Sequence, residues 1–135
     1  MKFSTRSTYG LKAIVNLARH PRDERVPLSA IAREENISSG YLERIFSLLK
    51  ASKIVTAGKG SAGGYRLAKD PRQISAYEIV RSLEGKNKLF YCFDDAGKVF
   101  CSKACDCGAN KALHKVEAEI NGALLKLKLS SLIKI

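Results

Sequence analysis

The sequence is poor in acids, lacks long apolar runs, and has no cysteine outside one short segment. No stretch of about 18 apolar residues occurs, which excludes a membrane-spanning helix. The opening "MKFSTRSTYG" lacks the apolar core of a signal peptide. The expectation is therefore a cytoplasmic protein, in a compartment where thiols stay reduced. Internal repeats and low-complexity tracts are absent, so solenoid and tail-like architectures fall away. Scattered Ser, His and Asp form no nucleophile–base–acid constellation, and an enzyme is not expected. Acids number 13 against 24 Lys and Arg, leaving a net charge of +11. Such an excess fits a polyanionic partner, most commonly nucleic acid, or a merely soluble basic protein. The pattern along the chain has to decide between them.

What is present suffices for one compact domain, or a small domain with an appended element: 135 residues, 45% hydrophobic. Hydroxyl residues open "STRSTYGLKAIVNLARHP", where Tyr9, Ala13, Ile14, Leu17 and Ala18 fall at helical spacing before Pro21. Leu28, Ile31 and Ala32 form a second apolar stripe. Leu42, Ile45, Phe46 and Leu49 form a third. Between these two, Asn36 tolerates a left-handed helix end, Ile37 can plug the corner, and Ser38 or Ser39 can cap the next helix. Two short helices joined so tightly predict a helix-turn-helix. Strand-like "IVT" and "YRL" follow, separated by glycines 58, 60, 63 and 64. A hairpin directly after a helix-turn-helix makes a winged helix. Ser75 and Glu78 then stand at capping-box spacing, ahead of a helix that Gly85 should stop. From residue 109 onward, Leu113, Val116, Ile120, Ala123 and Leu127 recur at near-heptad spacing with Leu124 alongside. So apolar a terminal helix needs a cover, and a second copy of the chain is the simplest one.

In a helix-turn-helix the second helix enters the major groove and its first residues reach base edges. The outward positions here are Ser38, Ser39, Gly40, Glu43, Arg44 and Ser47. Arg44 suits a guanine edge and Glu43 a cytosine amine. The serines suit phosphates, and Gly40 allows close backbone approach. The wing adds Lys59, Ser61 and Arg66, with glycines that let amides near phosphates or a narrow minor groove. The plain alternative for each cation is solvated surface. "GKGSAGG" does not fit the phosphate-loop pattern and lies between strands, so a nucleotide site is disfavoured.

Cys92, Cys101, Cys105 and Cys107 have the spacing C-x8-C-x3-C-x-C. Paired zinc hooks of the C-x2-C or C-x4-C kind are missing. Thiolates also hold iron–sulfur clusters at looser spacing, and Lys98, Lys103 and Lys111 would lower thiol pKa values and offset cluster charge. A zinc site and a reversible thiol switch remain the alternatives. His20 and His114 are better read as a helix-end residue and a surface or interface residue.

Taken in order, "YGLKAIVNLA", "VPLSAIAREENISSGYLERIFSLLKASKIV", "GKGSAGGYRLAKDP" and "ISAYEIVRSLEG" resemble the Rrf-two family of bacterial winged-helix regulators across nearly the whole chain. The resemblance implies a homodimer crossed through the long helix, reading a double-stranded DNA operator with recognition helix and wing. It also implies an iron–sulfur cluster that tunes DNA affinity, 2Fe–2S favoured over 4Fe–4S. Cys92, Cys101 and Cys107 look like the family's three ligands. Where the family's iron–sulfur assembly regulator has a histidine ligand, this chain has Asn110. Where its nitric-oxide sensor has an acid from the partner subunit, this chain has Thr8. Cys105 is the extra thiol and the candidate replacement. Gly40 stands where the assembly regulator has serine, Glu43 is kept, and Arg44 replaces a polar amide.

The expected fold is mostly α with a small β-hairpin wing. Residues 1–85 form the DNA-binding winged helix, 86–108 the cluster-binding loop, and 109–135 the dimerisation helix. The expected function is a cluster-controlled transcription regulator of the repressor type. The alternative is a cluster-free or zinc-bound regulator that senses thiol chemistry or a ligand. An electron-transfer or iron–sulfur carrier would have no use for a recognition helix.

Overall fold

A computed structural model describes residues 3–59, 63–85 and 108–134. Helix α1 spans Thr5–Ala18 and is capped by Ser4, whose side chain accepts from the Ser7 amide. Its Ala13, Ile14 and Leu17 enter the core. Helix α2 (Leu28–Glu35) ends at Asn36, which adopts φ 55° and ψ 49°, the left-handed cap expected of it. The Ile37 amide then bonds to the Ala32 carbonyl at 2.9 Å, and the Ile37 side chain is buried under the corner. Ser38 accepts from the Tyr41 amide at 3.3 Å and starts helix α3 (Ser39–Ala51). Helix α3 buries Leu42, Ile45, Phe46 and Leu49 completely. Each such side chain contributes about 1.5–3 kcal/mol by leaving water, so one face of α3 is firmly committed to the core.

Strand β1 (Val55–Gly58) pairs antiparallel with β2 (Gly64–Leu67), in the register Val55–Leu67 to Gly58–Gly64. Val26 adds one antiparallel bridge on the opposite edge of β2, through bonds of 2.8 and 2.9 Å with Tyr65. Tyr65 also packs edge-on against Phe46 with ring centroids 4.9 Å apart. The wing is thereby fastened to α3 by an aromatic contact and to the α1–α2 link by backbone bonds. Beyond a 3-10 turn at Pro71–Gln73, helix α4 (Ala76–Glu84) begins with the full Ser75–Glu78 capping box and ends at Gly85, φ 64°.

The long C-terminal helix is α5, Gly108–Lys126. Its periodic stripe continues in sequence past residue 126, but the helix does not. The Leu127 carbonyl accepts from the Ala76 amide at 2.8 Å, and the Leu129 amide donates to the Ile74 carbonyl at 2.8 Å. This bridge beside Ser75 outcompetes another turn of helix. A short helix α6 (Leu129–Leu132) then places Leu129, 0% exposed, in the same core as α1 and α3. The mostly helical winged-helix architecture with its hairpin and long terminal helix is as the sequence predicts.

Candidate nucleic-acid interface and cysteine segment

The amphipathic spacing that buries Leu42, Ile45, Phe46 and Leu49 turns the other side of α3 outward. Ser38, Ser39, Gly40, Glu43, Arg44 and Ser47 are all exposed along it. Arg44 and Glu43 form no ion pair among the described residues, so their polar groups remain open to a ligand. A T-shaped contact between Tyr41 and Tyr9, 5.9 Å between centroids, ties the start of α3 to α1. Lys12 sits over the Tyr9 ring at 5.7 Å.

In the wing, Lys59 is exposed just beyond β1. Arg66 is half-buried, because pleating sends it away from Phe46 into a cleft also lined by His20, Arg22 and Glu24. Ser61 lies outside the described residues. Arg25, which sequence reasoning passed over, reaches the wing: a Cβ built on Gly58 would collide with its guanidinium. Only the Val26–Tyr65 bridge brings it there, and that bridge is a long-range pairing without local signal.

Behind this face, Asp70 holds the turn after the wing. Its carboxyl is lowered to about 2, chiefly by the side-chain hydrogen bond from Arg72 at 3.1 Å and by the Arg72 amide. At the far end of α4, Glu84 Oε1 accepts from the Ser4 amide at 2.8 Å, from Ser4 Oγ at 2.6 Å and from Ser7 Oγ. Partial burial pushes the Glu84 carboxyl up, but these hydrogen bonds and nearby Arg6 outweigh it, leaving the pKa below the ordinary 4.5. The start of α1 is thus clamped to the residue before Gly85, where the cysteine segment departs.

Cys92, Cys101, Cys105 and Cys107 lie outside the described residues. Among the described residues no group of three or more His, Cys, Asp and Glu is placed to hold a metal ion. Of the two positions tied to a family ligand, Thr8 is exposed and its hydroxyl donates to the Ser4 carbonyl at 3.4 Å. Asn110 lies in the first turn of α5, 4% exposed, with its Nδ2 unpartnered among the described residues. An amide nitrogen is a donor, not a metal ligand. On α5, Val116 is 44% exposed and Leu113, Ile120 and Leu124 are only half-covered; Leu127, just past its end, is 44% exposed. No helix among the described residues is long and apolar enough to cross a membrane.

The family model named Rrf2, iron-dependent transcriptional regulator, matches residues 3–135. The chain belongs to the Rrf2 family. Among its relatives, the HTH-type transcriptional regulator IscR of Photobacterium profundum is 28% identical over 134 residues, covering 99% of this chain and 76% of that protein. CymR of Bacillus subtilis (strain 168) is 39% identical over 85 residues, 63% of this chain and 62% of that one. Among solved structures, T. potens IscR superposes with a TM-score of 0.77 at 31% identity, covering 99% of this chain and 87% of that chain. The structure of CymR, described as the global cysteine regulator of B. subtilis, gives 0.77 at 26%, covering 99% and 97%. This Rrf2 chain is accordingly a transcriptional regulator, a DNA-binding role and not an enzymatic one.

Proposed function

We propose that the protein is a homodimer that reads a double-stranded DNA operator with α3 and the wing, and that an iron–sulfur cluster sets its affinity for that operator. The observation that carries the DNA half is the two-sidedness of α3. Its apolar residues are fully buried while Ser38, Ser39, Gly40, Glu43, Arg44 and Ser47 stand exposed beside a hairpin carrying Lys59. Arg44 and Glu43 reach base edges; the serines, Lys59, Ser61 and Arg66 meet the backbone and wing-side groove. The expected division of labour is 1–85 for DNA, 86–108 for the cluster and 109–135 for dimerisation. The open apolar stripe of α5 supports the dimer, since a second copy would cover it.

Cluster control draws support from the similarity to IscR over 99% of the chain and from the four clustered thiols. Cys92, Cys101 and Cys107 would hold the cluster, with Cys105 as fourth ligand, and 2Fe–2S is favoured. The donor set fits: four thiols are soft ligands, and the orphaned Nδ2 of Asn110 is a hydrogen-bond donor of the kind cluster sulfurs accept. When bound, the cluster supplies redox- and ligand-sensitive chemistry at the junction of α4 and α5. The chain's own part is mechanical. The Glu84 clamp fixes one end of the segment on α1, and Leu129 fixes the far end of α5 in the core. Order in the segment can therefore set the spacing of two recognition helices, which need about 34–36 Å, or a multiple, to meet successive major grooves.

A second reading rests on the similarity to CymR. There the thiols act without a cluster, or with zinc, as a thiol- or ligand-sensing device in the same fold. Iron and sulfide analysis of protein purified without oxygen separates the two. Stoichiometric iron and sulfide support the first reading; their absence with operator binding intact supports the second.

A further inference from the structure

The loop end of the wing hairpin carries a bare strip. Gly58 of β1 and Gly64 of β2 are paired directly across the hairpin. Gly64 has φ +134°, and a Cβ there would strike the Val26 backbone. A Cβ on Gly58 would strike the Arg25 guanidinium, Cδ and Cζ. The absence of side chains at this one cross-strand pair lets Val26 dock on β2 and lets the Arg25 side chain lie along the wing. Arg25 is exposed and forms no hydrogen bond or ion pair with any described residue. Lys59, the residue after Gly58, is also exposed. With no side chain at Gly58, the guanidinium can approach the wing backbone closely and keeps its fork of N–H donors for a ligand.

We propose that Arg25 is a phosphate-contacting residue of the DNA interface, positioned by the Gly58–Gly64 pair. The reading rests on the DNA-binding function above. In a winged helix on DNA, α3 occupies a major groove and the wing tip addresses the adjacent minor groove. The sugar–phosphate strands that border that minor groove run beside the loop end of the wing, where the Arg25 side chain reaches. A planar fork of donors matches a phosphate there bidentately.

The test uses the full-length protein and a duplex selected by wild type from a random pool, with a scrambled duplex as control. Arg25→Ala should weaken both complexes by a similar factor, roughly tenfold at low salt. The slope of log K against log salt should fall by about one. Gly58→Ala keeps the charge but displaces the guanidinium. It should lose comparable affinity, provided its melting curve by circular dichroism shows a folded protein. Arg25→Lys should recover part of the loss and the salt slope. Unchanged affinity and salt slope in Arg25→Ala would overturn the proposal. So would a loss confined to the selected duplex with no change in slope, because that is base reading. A folded Gly58→Ala with wild-type affinity, beside a weakened Arg25→Ala, would overturn the positioning by the glycine pair. If wild type itself enriches no duplex, the failure belongs to the DNA-binding function and not to Arg25.

Discussion

Single residues carry two of the sharpest expectations. Arg44 stands exposed on the second turn of α3 with no ionic partner among the described residues. Arg44→Ala should cost about 1–3 kcal/mol at the selected operator and relax preference at one base pair. Fluorescence anisotropy against single-base variants of the duplex measures both, and equal specificity in wild type and variant would remove Arg44 from the reading face. Glu84 makes the protein's stability acid-sensitive. Its folded pKa is below 4.5, so it stabilises the fold above that pH and the contribution disappears as pH falls through the folded value. At Glu78 partial burial pushes the carboxyl up, but hydrogen bonds from Ser75 and Lys69 and the Lys69 charge together hold it below its ordinary value, so it acts in the same direction. Urea denaturation at pH 7 and near pH 4 should therefore show a smaller loss of stability on acidification in Glu84→Gln than in wild type. An identical loss in the two proteins would show that the clamp to Ser4 and Ser7 is energetically silent.

Elements differ in how openly the sequence announces them. The turn between α2 and α3 is legible because its signals are local: a left-handed Asn36, a buried Ile37 and a capping Ser38 act within a few residues of one another. The capping box of α4 is legible for the same reason. The end of α5 is not. Leu127 continues the apolar stripe, yet its carbonyl is taken by Ala76, far away in sequence, and Leu129 leaves the helix for the core. The placement of Arg25 on the wing and the turning of Arg66 toward His20 depend on strand pairing, which no local pattern shows. If α6 is integral to the core, Leu129→Ala should cost about 2–5 kcal/mol of unfolding free energy, the usual range for a fully buried leucine. A change below about 0.5 kcal/mol, the size of an ordinary surface substitution, would place α6 outside the cooperative unit. The open face of α5 makes the complementary prediction. Ile120→Asp would bury an unpaired charge between two copies, so sedimentation should find monomers or insoluble protein. An intact dimer for that variant would contradict pairing through α5.

At the scale of the whole molecule, one anchor holds the residue before the segment that contains every cysteine, and a second holds the far end of the helix that follows it. Glu84 is fastened to the start of α1, and α5 is fastened at its far end by the Leu127–Ala76 and Leu129–Ile74 bonds. For the proposed cluster control, a ligand can shift the spacing of two recognition helices only by binding the two arrangements with different affinity. Replacing Cys92, Cys101 or Cys107 by Ala should abolish the visible absorption of protein isolated without oxygen. Cys105→Ala should leave a cluster with an altered spectrum or faster loss. The most direct test is one titration of the selected duplex with anaerobically purified protein, repeated on the Cys107→Ala variant, with bound iron and sulfide determined on both samples. The account predicts iron and sulfide on wild type only, and a different operator affinity in the variant. Wild-type protein with neither iron nor sulfide, binding its operator as tightly as the variant, would contradict it.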